Sequence, residues 1–327
     1  MLIHELTLQG LLSFGFESNP ISLRPLNVMI GPNGSGKSNI IEAIKLFRAS
    51  AKELAVPIRS GGGIGQWIWK GSSSKVALLE AVVQGIRSEE SYQLRHRMEF
   101  TETAHRFDLL DEAIESARPL PGHQDPYFYY RFQKGHPVLN VREGKERKLK
   151  REDVRPDESI LSQRKDPDQF PELGHLSEAY QKMAIYQEWV FGRHSILRTP
   201  QSADLITDRL AEDFSNLGLF LNHLRGFPSA KKKILNRLHD LYEGLDDFDV
   251  HIQGGTVETF LTEGNYTIPA TRLSDGTLRF LCLLAILCDP TPPPLICLEE
   301  PELGLHPDLV TTLAELLIEA SEKTQLL

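Results

Sequence analysis

The stretch "GPNGSGKS" (Gly31 to Ser38) sets glycines, a lysine and a hydroxyl in the spacing G-x-x-x-x-G-K-[ST]. Gly31, Gly34 and Gly36 permit backbone conformations and close approaches that side chains block, so loop N–H groups can converge on an anion. Pro32, Asn33 and Ser35 complete the loop. Asn39 follows it, in the first turn of a predicted helix whose positive end faces the same anion. In this arrangement Lys37 reaches the outer phosphates of a nucleotide and Ser38 offers its hydroxyl to Mg²⁺.

A pair of adjacent carboxylates stands at the other end of the chain, in "PLICLEEPELGLHP". The apolar residues Leu295 to Leu298 predict a buried strand ending in Glu299 and Glu300, which strand alternation would point to opposite sides. At a strand's carboxyl end beside a phosphate loop, Glu299 can hold the Mg²⁺ shell, and Glu300 can orient or deprotonate the attacking water. The plainer alternative is two surface glutamates at the start of a loop. Aspartate is the usual residue at the first position; the longer Glu299 predicts looser geometry with binding retained.

The third stretch is "TRLSDGTLRFLCLLAIL" (Thr271 to Leu287), where Ser-Asp-Gly precedes an apolar helical run. Ser274 fits an N-cap, accepting a bond from a free backbone N–H. A capped helix start also gathers free N–H groups and positive dipole, a place for a phosphate. On these residues alone both readings stand.

The elements that must position these groups follow from periodicity. "LNVMI", before the glycine loop, reads as a strand buried on both faces. After the break "SGGGIG", the segments "KVALLEAVVQ", "YQLRHRMEF" and "YFYYRF" predict antiparallel strands. "VREGKERKLKRED" (Val141 to Asp153) reads as an exposed turn or hairpin tip. From Pro171 to Leu224 the spacing turns helical, including all of "ELGHLSEAYQKMAIYQEWVF", and "SAKKKILNRLHDLY" continues it. "FDVHI" and "TVETFL" are short strands, and a last helix starts at Asp308. The order predicts one α/β domain: a P-loop and β-rich lobe over 1–160, a helical lobe with short strands over 161–270, and the final part over 271–327.

The composition fits a globular protein, with 40% hydrophobic and 25% charged residues in 327. A formal net charge of −9 argues against coating nucleic acid through overall charge. Cys282, Cys288 and Cys297 lack metal or disulfide spacing. "MLIHELTLQG" is not a signal peptide, and the longest apolar run, "FLCLLAILC", is far too short to span a bilayer. A soluble cytoplasmic protein is the expected class.

Taken together, "IGPNGSGKSN", "RLSDGTLRFL" and "LEEPELGLHP" resemble the ABC-type ATPases of the SMC, RecF and OLD class, and within it the stand-alone bacterial "AAA family" ATPases. "SILSQRKDPDQFPEL" and "EDFSNLGLFLNHL" share the likeness, which is weak over roughly 50–155. The resemblance implies an ABC-type head: a mixed central sheet, an antiparallel β subdomain and a helical lobe. It implies ATP and Mg²⁺ as cofactors, and two copies that sandwich two ATP molecules head to tail. Ser274, Asp275 and Gly276 of one copy would then face the γ-phosphate held by the other's Gly31–Asn39. Asp275 departs from the glycine usual in transporter signatures. Glu302 to His306 match the loop that crosses the dimer interface. Gln163 is placed like the glutamine that senses Mg²⁺ and the nucleophilic water, with Gln66 as the alternative. Phe14 and Phe16 are open to adenine stacking or to core packing. The resemblance further predicts a switch histidine after a strand that begins at "TQLL", where the sequence stops, so a truncated or partly represented chain is expected.

For function, relatives of this class act in DNA repair, chromosome maintenance or phage defence beside a nuclease or effector. The sequence carries no DNA-reading motif and no defensible nuclease cluster, so DNA enters only through the resemblance. The alternative is an ATP-dependent switch or scaffold that hydrolyses slowly or not at all, favoured by Glu299 and the missing histidine. A membrane transporter's ATP subunit fits "EEPELGLHP" and Asp275 less well.

Overall fold

The computed structural model describes residues 1–327 except 72, 87–91, 120–121, 134–135, 142–144, 149–154, 156 and 165. The chain forms two compact units, Met1–Met183 and Ala184–Leu327. The boundary expected at 160/161 falls instead within a turn of helix of the first unit.

In the first unit, β1 (Ile3–Gln9) and β2 (Ile21–Ser22) precede α1 (Lys37–Ser50), α2 (Ala55–Ser60) and α3 (Ile64–Trp67). Then come β3 (Val76–Gln84), β4 (Gln93–Thr103), β5 (Arg106–Ser116), β6 (Phe128–Gln133), β7 (His136–Val141), β8 (Lys145–Lys148), α4 (Ile160–Gln163) and α5 (Pro171–Gln181). The strands form one antiparallel sheet in the order β2-β1-β3-β4-β5-β6-β7-β8. Strict alternation in "VALLEAVVQ" buries every second side chain of β3, as a half-covered antiparallel strand requires. The expected strands thus form. The basic tract from Val141 lies mostly outside the described residues, apart from the backbone of β8.

"LNVMI" does not form the expected strand. Residues 27–30 carry no strand, and Val28 and Ile30 are 69% and 91% exposed. An apolar run expresses a demand for neighbours, and the antiparallel sheet of this unit closes on β2 without supplying them.

In the second unit, β9 (Ala184–Tyr186), β10 (Gln201–Ser202), α6 (Leu217–Arg225), α7 (Pro228–Leu241), β11 (Asp247–Gln253), β12 (Thr256–Glu263) and β13 (Tyr266–Pro269) lead to α8 (Asp275–Leu287). β14 (Leu295–Leu298), α9 (Leu309–Ser321) and β15 (Gln325–Leu326) follow. A parallel sheet β15-β14-β9 has the fully buried β14 at its centre, and β10-β12-β11 with β13 form an antiparallel sheet. The helical reading of "QKMAIYQEWVF" is corrected here. α5 ends at Gln181, and Ala184–Tyr186 is a buried strand paired with Ile296–Leu298. A nonlocal partner overrides the local helical spacing. The three cysteines are free and buried. No helix among the described residues is long and apolar enough to cross a membrane.

Candidate functional site

The chemistry-bearing residues divide between the two units. In the first, the loop Gly31–Gly36 opens α1, whose inner face buries Ile40, Ile41, Ile44, Leu46 and Phe47. Gly36 occupies the N-cap at φ 93°, where an added Cβ would stand 2.7 Å from Ser13 Oγ. Only glycine meets both demands without strain. Lys37 Nζ donates to the carbonyls of Gly31 (2.7 Å) and Pro32 (3.0 Å), so the ammonium is folded onto its own loop. Asn39 Nδ2 donates to Ser13 Oγ at 2.8 Å, fixing the loop against the turn after β1. Ser38 is exposed. Phe16 meets Trp69 edge-on with centroids 6.0 Å apart, and Phe14 lies beneath Gly36.

Gln163 sits on α4, whose start is pinned by a buried network. Glu112 accepts from the Ile160 N–H (2.9 Å) and from the Ser159 hydroxyl, and lies 3.1 Å from His96 Nε2. His96 Nδ1 is 3.3 Å from the Tyr180 hydroxyl. The Gln163 amide is used on both sides. Its Oε1 accepts from Arg155 N–H (3.0 Å), and its Nε2 donates to the carbonyls of Glu158 (3.1 Å) and Ser159 (3.3 Å). Gln66 is exposed on α3.

In the second unit the ladder between β14 and β9 runs on to Glu299, whose N–H donates to Tyr186 O at 3.0 Å. Gln187 Nε2 donates to Glu299 Oε2 (2.9 Å), and Trp189 Nε1 donates to the Glu299 carbonyl (2.8 Å). Glu300 does not continue the strand. Its φ is 47°, the left-handed region that non-glycine residues seldom occupy. The expected strand alternation therefore fails at this residue, and the exposed Glu300 is turned by its own backbone.

The turn closes on its own backbone, Leu303 N–H to the Glu300 carbonyl and Leu305 N–H to the Glu302 carbonyl (3.1 Å each), and Arg279 on α8 braces it from outside. The guanidinium donates to the carbonyls of Glu300 (3.1 Å) and Leu303, and lies over the rings of Trp189 (4.7 Å) and Phe191 (5.1 Å). Burial lowers its pKa from the ordinary arginine value. Gly276 packs against the same turn, where an added Cβ would lie 3.2 Å from the Gly304 carbonyl. At the start of α8, Ser274 Oγ accepts from the Thr277 N–H at 3.0 Å, so the N-cap reading is met, and the serine remains exposed. Asp275 accepts from Arg198 Nη2 (2.5 Å) and the Gly192 N–H (3.1 Å). His306 pairs with Asp308 at 3.3 Å in the exposed loop.

Gln187, Trp189, Arg198 and Arg279 join the candidate residues that the sequence brought forward. Reading "IYQ" as the end of a strand parallel to "LICL" would have found the first of them. The donor set suits a hard cation. In the first unit Ser38, and in the second Glu299, each carry an oxygen of the kind Mg²⁺ takes, and within the second unit Gln187 Oε1 is a buried acceptor without a hydrogen-bond partner next to Glu299. Among the described residues no group of three or more His, Cys, Asp or Glu could hold a metal by itself.

Residues 26–327 match a family profile described as "AAA domain, putative AbiEii toxin, Type IV TA system". A curated relative, the chromosome partition protein Smc of Halothermothrix orenii, is 39% identical over 88 residues, 25% of this chain. The matched stretch spans only 7% of that protein's length. Among solved structures, an Smc head bound to the C-winged helix domain of ScpA aligns with TM-score 0.58 and 15% identity, covering 100% of this chain and 88% of the other. The Smc head domain with a coiled coil and joint from Pyrococcus yayanosii aligns with TM-score 0.52 and 12% identity, covering 100% and 91%.

Proposed function

The chain belongs to this AAA-domain family and has the fold of an SMC ATPase head, and on that footing we propose that it binds and hydrolyses ATP as a head-to-tail dimer. The observation that carries the reading is that one helix, α8, presents the exposed capped Ser274 while its Arg279 holds the Glu300 turn. A serine suited to a phosphate and a glutamate suited to a water are thereby linked through one helix, which Ser274 caps and whose Arg279 reaches the Glu300 carbonyl.

In this reading the loop N–H groups of Gly31–Ser38 cradle the phosphates, and Lys37 leaves the Gly31 and Pro32 carbonyls for the outer phosphate oxygens. Ser38 and Glu299 would hold a magnesium ion, with Gln187 steadying the Glu299 carboxylate. When bound there with the nucleotide, the ion would supply positive charge against that building on the phosphates. Glu300 orients the attacking water and takes its proton. Ser274 and Gly276 of the second copy close the site, the helix dipole of α8 adding to their bonds. Gln163 joins this site on release of the Arg155 N–H from its Oε1. DNA maintenance or phage defence beside an effector is the biological setting proposed, and the ScpA domain bound to the similar Smc head makes a protein partner the natural expectation.

The experiment is Ser274→Arg. ATP-dependent dimerisation, followed by light scattering, should be abolished, while ATP binding by the monomer stays within about twofold of wild type. Loss of monomer ATP binding would overturn the trans assignment. The slow-switch reading is favoured by one observation, the carboxylate of the overlong Glu299 already engaged by Gln187. A wild-type single-turnover rate no faster than that of Glu300→Gln would establish it.

A further inference from the structure

Between β9 and β10 the chain runs as a strap, residues 187–198, whose two ends are bonded to different candidate groups of the second unit. The first end holds Glu299 through Gln187 and Trp189. The other end is Arg198, whose side chain is 13% exposed. Its Nε donates to Gly192 O (3.0 Å) and its Nη1 to Leu273 O (2.6 Å), with longer contacts to Thr271 O (3.3 Å) and Ala270 O (3.4 Å). Its Nη2 donates to Asp275 Oδ1, which also takes the Gly192 N–H. A planar guanidinium fork is thus spent on the residues either side of Ser274, without touching Ser274 itself.

We propose that Arg198 is a positioning residue for Ser274, latching the 270–275 loop through Leu273 O and Asp275 so that it receives the nucleotide of a second copy. The inference rests on the head-to-tail reading and assigns it a residue and a charge balance. Asp275 brings a negative charge to a surface meant for a triphosphate, and Arg198 offsets that charge. The fork also fixes the Ser274 backbone from both sides, where a single ammonium could serve only one. The Arg198 hydrogen bond, followed by that from Gly192, holds the Asp275 carboxyl below its usual pKa. The latch is therefore formed above the ordinary carboxylate range and lost only as pH falls through the lowered value, so it is closed near neutrality.

The test compares Arg198→Ala and Arg198→Lys with wild type by three measurements: monomer ATP affinity, ATP-dependent dimerisation, and hydrogen exchange of the 270–277 amides. Arg198→Ala should weaken dimerisation on the order of tenfold, leave monomer ATP affinity unchanged, and speed exchange in 270–277. Arg198→Lys, which keeps the charge and loses the fork, should fall between. Dimerisation unchanged in a folded Arg198→Ala, or ATP affinity lost in parallel, overturns the latch. If the wild-type chain binds ATP without dimerising, the head-to-tail reading fails by itself. Exchange then still decides the latch: unchanged protection of 270–277 in Arg198→Ala overturns it, and faster exchange upholds the hold on the loop.

Discussion

The Gly31–Ser38 loop and the Glu299–Leu305 turn hold their reactive groups by opposite means. The loop relies on backbone: Gly36 sits at φ 93°, and Lys37 is tied to two carbonyls of the loop itself. The turn relies on side chains brought from elsewhere: Gln187 and Trp189 on Glu299, and Arg279 on the carbonyls of Glu300 and Leu303. A backbone cradle is set by local residue types and suits a task common to many proteins, gripping phosphate. A side-chain-braced turn can be biased by whatever moves its braces, here α8, which also carries Ser274. In the proposed dimer, contact at Ser274 and geometry at Glu300 share one helix.

The largest effect should come from the turn's own reactive group. Glu300→Gln removes the proposed base while keeping size and φ preference nearly the same, so single-turnover ATP cleavage should fall by roughly 10²–10⁴ with ATP affinity preserved. An unchanged rate would remove Glu300 from the reaction and leave the turn a structural feature. The cradle breaks differently. Gly36→Ala must place a side chain at positive φ, costing about 1–2 kcal/mol, and must push its Cβ against Ser13 Oγ. ATP affinity should fall about tenfold, and cleavage at saturating ATP should be far less affected. Equal losses in affinity and saturated rate would mean that the loop does more than grip.

The same contrast explains what the sequence disclosed. The loop was legible because its demands are local: glycine where φ is positive, a lysine and a hydroxyl after it. The antiparallel strands were legible because β3 and β4 alternate with one buried face each, and the Ser274 cap because Ser-Asp-Gly before an apolar run is itself the capping pattern. β9 was not legible. Its three residues pair with β14, more than a hundred positions away, and nothing in "AIYQ" separates a buried strand from the continuing helix. Nor was the bracing legible: Arg198 reaches Asp275 across 77 positions, and Arg279 lies inside an apolar run whose other members simply form core. "LNVMI" shows the reverse limit, since its apolar character states that burial is wanted without stating by which strand.

The smallest expected effect tests whether bracing differs from packing. Arg279 is buried, and among the described residues it forms no ion pair with a carboxylate; its partners are carbonyls and two aromatic faces. A buried charge held this way carries a desolvation cost that its hydrogen bonds and ring contacts only offset. Arg279→Leu removes that cost together with the bonds; the Glu300 carbonyl keeps its bond from the Leu303 N–H (3.1 Å), and Leu303 is an exposed residue. Global stability should therefore move by no more than about 1 kcal/mol, read as a shift of a few degrees in Tm. Cleavage should fall roughly five- to tenfold, because Glu300 no longer has its left-handed backbone pinned. ATP affinity, assigned in this proposal to the first unit's loop, should not change. If stability and cleavage collapse together, Arg279 is a core residue and α8 does not steer the glutamate. If cleavage alone falls, the arginine is kept at a cost in burial for the sake of the turn.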